Sequence, residues 1–386
     1  MELKRSPRIV KVEAARLEGV RPRAAGCNAR LPAHGIAVRP PIVRLTTEDG
    51  ATGFGVSRVT REGAAALLGA PLDVAFSAAA GNTGAAGDWV GLEYPLWDLA
   101  SKRAGQPVFR YVAGLVGRDL PATPFRVPCY DTSLYIDDLH LTSDDEAAAL
   151  IASEAREGYV RGHRNFKIKV GRGARHMPVD QGTTRDVRVI RAVRDAAGPH
   201  AQVMIDANNG YTLNLTKRVL DETADCRLFW IEEAFHEDAV LYQDLKHWMA
   251  ARGIATLIAD GEGAAHPALM EWARDHTVDV VQYDYSGTGF TRWLGIGRQL
   301  DEWGAQAAPH HYGGLYGNFA SGHLAGAIAR FTFVEWDEAS APGLDASAYR
   351  VEDGYVTLPE LPGFGLSLDE PHYSRLVAES GFTLTA

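Results

Sequence analysis

The sequence predicts an α/β protein: a (β/α)8-type barrel carrying an α+β capping domain formed by the N-terminal region and the C-terminal tail. Three observations predict it. Beyond residue 125, short apolar runs alternate with longer amphipathic stretches, the pattern of strands and helices in a parallel sheet. Eight such runs occur, the count of a closed barrel. Nearly every run closes on an ionisable residue, and the C-terminal ends of barrel strands are where such folds place their chemistry.

The first 125 residues read differently. Ile9–Arg16 alternates, Ile36–Thr47 is rich in β-branched residues, and Asp49-Gly50 supplies a turn, so this stretch predicts antiparallel strands. Apolar residues recur at helical spacing in Tyr94–Ala104, and Gly105-Gln106-Pro107 interrupts the helix. Pro121 and Pro124 mark a boundary, giving a capping domain over 1–125 and a barrel over 126–353. The strand candidates are Arg126–Thr132, Asn165–Val170, Gln202–Ala207, Leu228–Glu233, Thr256–Glu262, Asp279–Tyr285, Gly304–His311 and Phe331–Asp337. The remainder, 354–386, contains Pro359, Pro362 and Pro371 and reads as an irregular segment packing back on the capping domain.

Composition narrows the function classes. At 386 residues the chain exceeds the ~250–300 at which single cores stop growing, so one large barrel or two domains are expected. A net charge of −10 argues against a nucleic-acid surface, which needs clustered Lys and Arg. Three cysteines without CxxC spacing fit a reducing compartment, with each thiol a small buried hydrophobe. No apolar run approaches the ~18–20 residues that span a membrane, and Met1–Val12 lacks the apolar core of a signal peptide. A soluble, cytoplasmic protein is expected.

The strand ends carry Lys169, Asp206, Glu232, Glu262, Asp284, His310 and Glu335, at intervals near the ~30 residues of one β/α unit. Seven ionisable groups therefore converge on one mouth. Asp206, Glu232 and Glu262 would repel one another unless a cation sat among them, and hard oxygen donors favour Mg²⁺, with Mn²⁺ as substitute. Glu233 falls on the opposite face if its strand continues, which leaves Glu232 the better ligand. Lys167 and Lys169 share one strand face. Lys169, nearer the strand end, is the candidate base, its pKa expected to be lowered by Lys167 and the metal. Asp284 and His310 end neighbouring strands, where a carboxylate fixes the imidazole's tautomer and raises its basicity. His311 points away by alternation.

These residues resemble the enolase superfamily and, within it, the mandelate racemase subgroup. The resemblance covers nearly the whole chain: L-W-D-L-A at 96–100, G-Q-P-V-F at 105–109, K-x-K at 167–169, D-x-N at 206–208, W-I-E-E at 230–233, G-E at 261–262, and Asp284 followed by Gly289. His310 and Glu335 fall where that pattern has its strand-seven histidine and strand-eight glutamate. The sequence departs from it at E-E-A (232–234), at Phe290, in an apparent insert over Gly171–Thr184, and in the glycine-rich loop Tyr312–Gly322.

The resemblance implies that Asp206, Glu232 and Glu262 hold Mg²⁺ against a substrate carboxylate. One base removes the α-proton to give an enediolate, and a protonated Glu335 donates to its other oxygen. It also implies a closed homo-oligomer. Having both Lys169 and His310 permits dehydration of an aldonate or aldarate to a 2-keto-3-deoxy acid, or two-base racemisation or epimerisation of a 2-hydroxy acid. We expect the acid-sugar dehydratase. Cycloisomerases and dipeptide epimerases resemble a pattern with lysine on strand six, where this chain has Asp284. A non-catalytic homologue would have lost at least one of the seven groups. For a polyol substrate, Asn208, Asn28, Arg30, His34 and Tyr312 are the candidate contacts, with Arg30 a partner for a second carboxylate.

Overall fold

The computed structural model of the chain describes residues 6–79, 82–122 and 124–386. Residues 1–5, 80–81 and 123 of the expected capping domain lie outside them.

All eight expected barrel strands form. They are Phe125–Leu134, Phe166–Lys169, Val203–Asp206, Trp230–Glu232, Leu257–Asp260, Val280–Val281, Gln306–Ala307 and Val334–Trp336. Each pairs in parallel with the next. The eighth returns to the first through Val334–Cys129, Glu335–Tyr130 and Trp336–Asp131, and a bridge between Ala307 and Phe331 joins the seventh to the eighth. Helices separate most of the strands. Asp144–Val160 shows how one starts: Ser143 caps it by accepting from the Glu146 amide, and Asp144, Asp145 and Glu146 meet the positive end of the helix dipole.

The alternation of strand side chains sorts the core into two bodies. Phe166, Ile168, Val203, Ile205 and Ile231 face outward and join the apolar layer beneath the helices. Tyr130, Met204, Trp230, Ala259, Val280, Ala308 and Phe333 form a separate cluster that fills the barrel. Two residues beyond an interior member on the same strand lies a polar group: Thr132, Asp206, Glu232, Gln282, His310 and Glu335. The apolar layer is the floor of a polar chamber.

The N-terminal region contributes an antiparallel sheet, Ile9–Arg16 with Pro41–Thr47 and then Thr52–Val56. Ile36–Thr47, read as one stretch, is two strands broken at Arg39-Pro40. Gly19–Ala25 pairs with Gly35–Val38, and this hairpin carries residues 26–34 to the barrel mouth. A Cβ on Gly210 would meet the Ala29 Cβ at 2.6 Å, so that loop lies directly on the end of the third strand unit.

The tail is not irregular. Tyr355–Leu358 pairs antiparallel with the first barrel strand, so the segment expected to leave the barrel at residue 354 begins inside its sheet. Glu370–Ser380 is a helix and Phe382–Thr385 is a strand on the edge of the N-terminal sheet, paired with Ile9–Arg16. Pro371, read as a breaker, lies in the first turn of that helix behind the Asp369 cap, where a proline loses no hydrogen bond.

Below the hairpin, Asp137 and Glu154 form a buried carboxyl pair beside Arg23. Burial, then the charge of Asp137, pushes Glu154 up to about 9, so the pair retains a proton at neutral pH. Cys27, Cys129 and Cys226 are unpaired and buried. Among the described residues no helix is long and apolar enough to cross a membrane.

Candidate active site at the barrel mouth

Asp206 and Glu232 terminate the third and fourth strands, while Glu262 lies two residues past the fifth, beyond Gly261 at φ +125°. One oxygen from each lies within 4.8 Å of the others. Three hard oxygen donors with a shared focus suit Mg²⁺. Their crowding is visible in the titration of Glu232: burial, then the charge of Asp206, pushes it up to about 8. A divalent cation would relieve that repulsion, so the residues fit the metal.

The two lysines reach this cluster from the second strand. The Lys167 ammonium is fully buried. It donates to Glu232 at 2.6 Å and lies 3.1 Å from Glu335 and 3.3 Å from Asp206. Lys169 donates to Asp206. Burial disfavours the Lys169 ammonium and Lys167 opposes it, but the Asp206 carboxylate outweighs both, and its pKa is raised. Among the protein's own groups the raising prevails, because Asp206 accepts directly from the ammonium; the cation named in the expectation would draw on that same carboxylate. The protonated Glu335 also needs correction. Burial would raise it, but Lys167, His310 and His311 hold it well below the usual carboxylate range. It accepts from the Thr132 hydroxyl at 2.7 Å and the His311 amide at 2.8 Å.

Across the mouth, His310 Nδ1 is 2.7 Å from Asp284, as adjacent strand ends predict. Its Nε2 faces Glu262 at 3.2 Å. Burial opposes the imidazolium, but Glu262, Glu335 and Asp284 together raise it to about 10. Asp284 also accepts from the Gly263 amide, which ties the fifth-strand loop to the sixth. His311 turns away and packs on the Glu335 carbonyl.

The remaining candidates divide. Lys169, His310, Asn208, Glu262, Asn28, His34 and Tyr312 all line one cavity of about 480 Å³, within the range of small-molecule sites. Asn208, at φ +41°, donates to Glu233 at 2.9 Å and Glu262 at 3.1 Å, and so positions carboxylates. Asn28 spends its Oδ1 on the Arg30 and Leu31 amides and shapes its own loop. Arg30 does not line the cavity. It is exposed and lies 3.7 Å from Glu233.

Sequence reading missed five groups. Glu233 does not point outward: its strand ends at Glu232, and φ +43° swings the side chain onto Asn208 and Asn209. Gln282 and Trp230 each donate to Glu232, at 2.9 and 3.1 Å, and orient it. Arg21 and Tyr135 line the cavity. Arg21 is found only by noticing that the Gly19–Ala25 strand inverts its polarity, exposing Val20 and burying Arg21.

Comparison with known proteins bears on this geometry. Residues 150–372 match the family model described as enolase C-terminal domain-like. The structure superposes on the galacturonate dehydratase of Geobacillus sp., solved with Mg, with a TM-score of 0.95 and 46% identity, covering 98% of this chain and 97% of that one. The same neighbour was also solved with D-galacturonate and 5-keto-4-deoxy-D-galacturonate. The arabinonate dehydratase of Saccharolobus solfataricus is 25% identical over 302 residues, 75% of this chain and 72% of its own length. The D-galactarolactone cycloisomerase of Agrobacterium fabrum is 26% identical over 294 residues, 72% of this chain and 71% of its own.

Proposed function

The chain belongs to the enolase superfamily, and from that premise we propose that it removes water from a hexuronate of the galacturonate kind. Its activity is that of a magnesium-dependent acid-sugar dehydratase. Membership alone would leave the reaction open, since the relatives include a cycloisomerase. The observation that carries the reading is the pair Lys169 and His310, facing one another over three clustered carboxylates, in a chain 46% identical to a galacturonate dehydratase over nearly its whole length.

The product seen with the neighbour has its carbonyl on the carbon beside the carboxylate and its deoxy carbon next to that. Water is lost across that bond: the C5–H and C4–O bonds break, and the resulting enol becomes the ketone. Mg²⁺, when bound by Asp206, Glu232 and Glu262, supplies positive charge to the carboxylate oxygens and makes the neighbouring C–H acidic enough to lose its proton. With that cation drawing on Asp206, the carboxylate that keeps Lys169 an ammonium, Lys169 would shed its own proton and serve as the base. Lys167 holds positive charge beneath the carboxylate from its pairing with Glu232 and Glu335. His310 gives its Nε2 proton to the departing hydroxyl. Asp284 keeps the ring's Nε2 turned toward the cavity. Thr132 and the His311 amide fix Glu335 so that it stays ionised beside Lys167.

The test is an α-keto acid assay with Mg²⁺ over a panel of uronates, aldonates and aldarates. We expect keto acid from at least one uronate, and its loss by on the order of 10³-fold in both Lys169→Met and His310→Asn. Deuterium at the α-carbon without keto acid would replace the dehydratase by an epimerase.

A further inference from the structure

The chemistry of the reacting end is set by charge, and on the opposite wall of the same cavity the charged groups are already paired. We infer that this wall reads an uncharged substrate terminus, so that the enzyme takes monocarboxylate sugar acids and rejects the matching dicarboxylates, with His34 the specificity-determining residue. The inference rests on the dehydratase reading and adds to it which end of the sugar is recognised, and by what.

Four cations could have served a second carboxylate; three are paired with a carboxylate and the fourth does not line the cavity. Arg21 lines the wall but is buried against Asp337, with Nε at 3.0 Å and Nη2 at 2.8 Å. Its Nη1 donates to the Ala37 carbonyl at 3.3 Å, and the guanidinium lies 4.7 Å from the centre of the Tyr312 ring. Both nitrogens of the fork that grips a carboxylate are therefore occupied. Arg39 is exposed and holds Glu18 at 2.8 Å. Arg30 does not line the cavity. Lys169 lines the cavity but is paired with Asp206.

What the wall does present is neutral. The His34 ring sits edge-on to Tyr135 at 4.8 Å and to Tyr312 at 5.2 Å. Its Nε2 is buried and meets no protein partner among the described residues. A buried ring nitrogen without a partner carries a desolvation cost that a bound hydroxyl or carbonyl removes. Burial, then the positive charge of Lys169 and Arg21, holds this imidazole down at about 4, so it is uncharged at neutral pH. A carboxylate placed against it would lose its water without gaining an unpaired counter-ion, because Arg21 and Lys169 already hold Asp337 and Asp206, and sites exclude a charged analogue in this way.

Galacturonate and galactarate make the test, because they differ only in the terminus: an aldehyde or its hydrate in one, a carboxylate in the other. With the full chain and Mg²⁺, we expect kcat/KM for galactarate to be at least 100-fold below that for galacturonate. In His34→Arg the ratio should narrow at least tenfold, and in His34→Gln, which keeps a neutral donor, it should stay wide. Equal turnover of both acids by the wild type overturns the inference and leaves the dehydratase standing. Turnover of neither, and of no other acid in the panel, overturns both. A folded His34→Arg with an unchanged ratio, or a His34→Gln that loses discrimination, overturns the assignment to His34. If His34→Arg does not fold, the wild-type ratio and His34→Gln decide.

Discussion

On the barrel side of the cavity the functional groups are charged and carried at or just beyond strand ends: Lys169, Asp206, Glu232, Glu262 and His310, each touching at least one of the others or Lys167. On the hairpin side they are aromatic or already neutralised: His34, Tyr135, Tyr312, and Arg21 closed on Asp337. The difference follows from what each wall must do. The reacting end has to change the charge of its substrate, so it keeps unlike charges close and imperfectly matched. The far wall has only to discriminate, and a buried neutral surface discriminates by what it fails to compensate.

The largest effect should come from the charged wall. Asp206→Asn removes a metal ligand and the partner of Lys169, and should lower kcat by on the order of 10³-fold or more and weaken Mg²⁺ binding in calorimetry. His34→Gln should leave Mg²⁺ affinity unchanged. Metal affinity that responded equally to both substitutions would erase the division between the walls. Next is the neutralised pair: Asp337→Asn strands a buried guanidinium and should cost about 3–5 kcal/mol in urea unfolding. A cost near zero would mean that Arg21 is free to serve a ligand after all.

The smallest effect should come from a carboxyl that looks as charged as these but is not. Glu154 keeps its proton at neutral pH, so Glu154→Gln replaces like with like and should change stability by less than about 1 kcal/mol at pH 7. The sign with pH is fixed. A carboxyl raised in the folded state from 4.5 to about 9 holds a proton that the unfolded chain releases. Stability from this group is thus full below 4.5 and declines as pH rises toward 9. The variant should lack that decline.

The charged wall was legible in the sequence and the neutral wall mostly was not, for a physical reason. Strand periodicity is two, so an apolar run that ends on a carboxylate already says which way the carboxylate points, as in V-M-I-D at 203–206. Residues 26–34 have no such period, and His34 entered the reading only as a polar loop residue. Arg30 and Arg21 show the limit: the loop arginine stands out in the sequence, while the strand arginine sits in V-R-P-R, where the outward residue is the valine. Protonation states were less legible still. Glu335 is a carboxylate because of Lys167, Thr132 and His311, which the chain brings together from three other strand units.

The strand Phe382–Thr385 lies beside Ile9–Arg16, residues from opposite ends of the sequence. During synthesis the earlier strand emerges long before its neighbour exists, and every barrel strand is made in between. The N-terminal sheet therefore spends that interval with one edge unpaired, open to other nascent chains. The catalytic chamber can close before the sheet that anchors its far wall is finished. Cells that lose the last strand to proteolysis would be left with a barrel bearing its charged groups under a loosened cap.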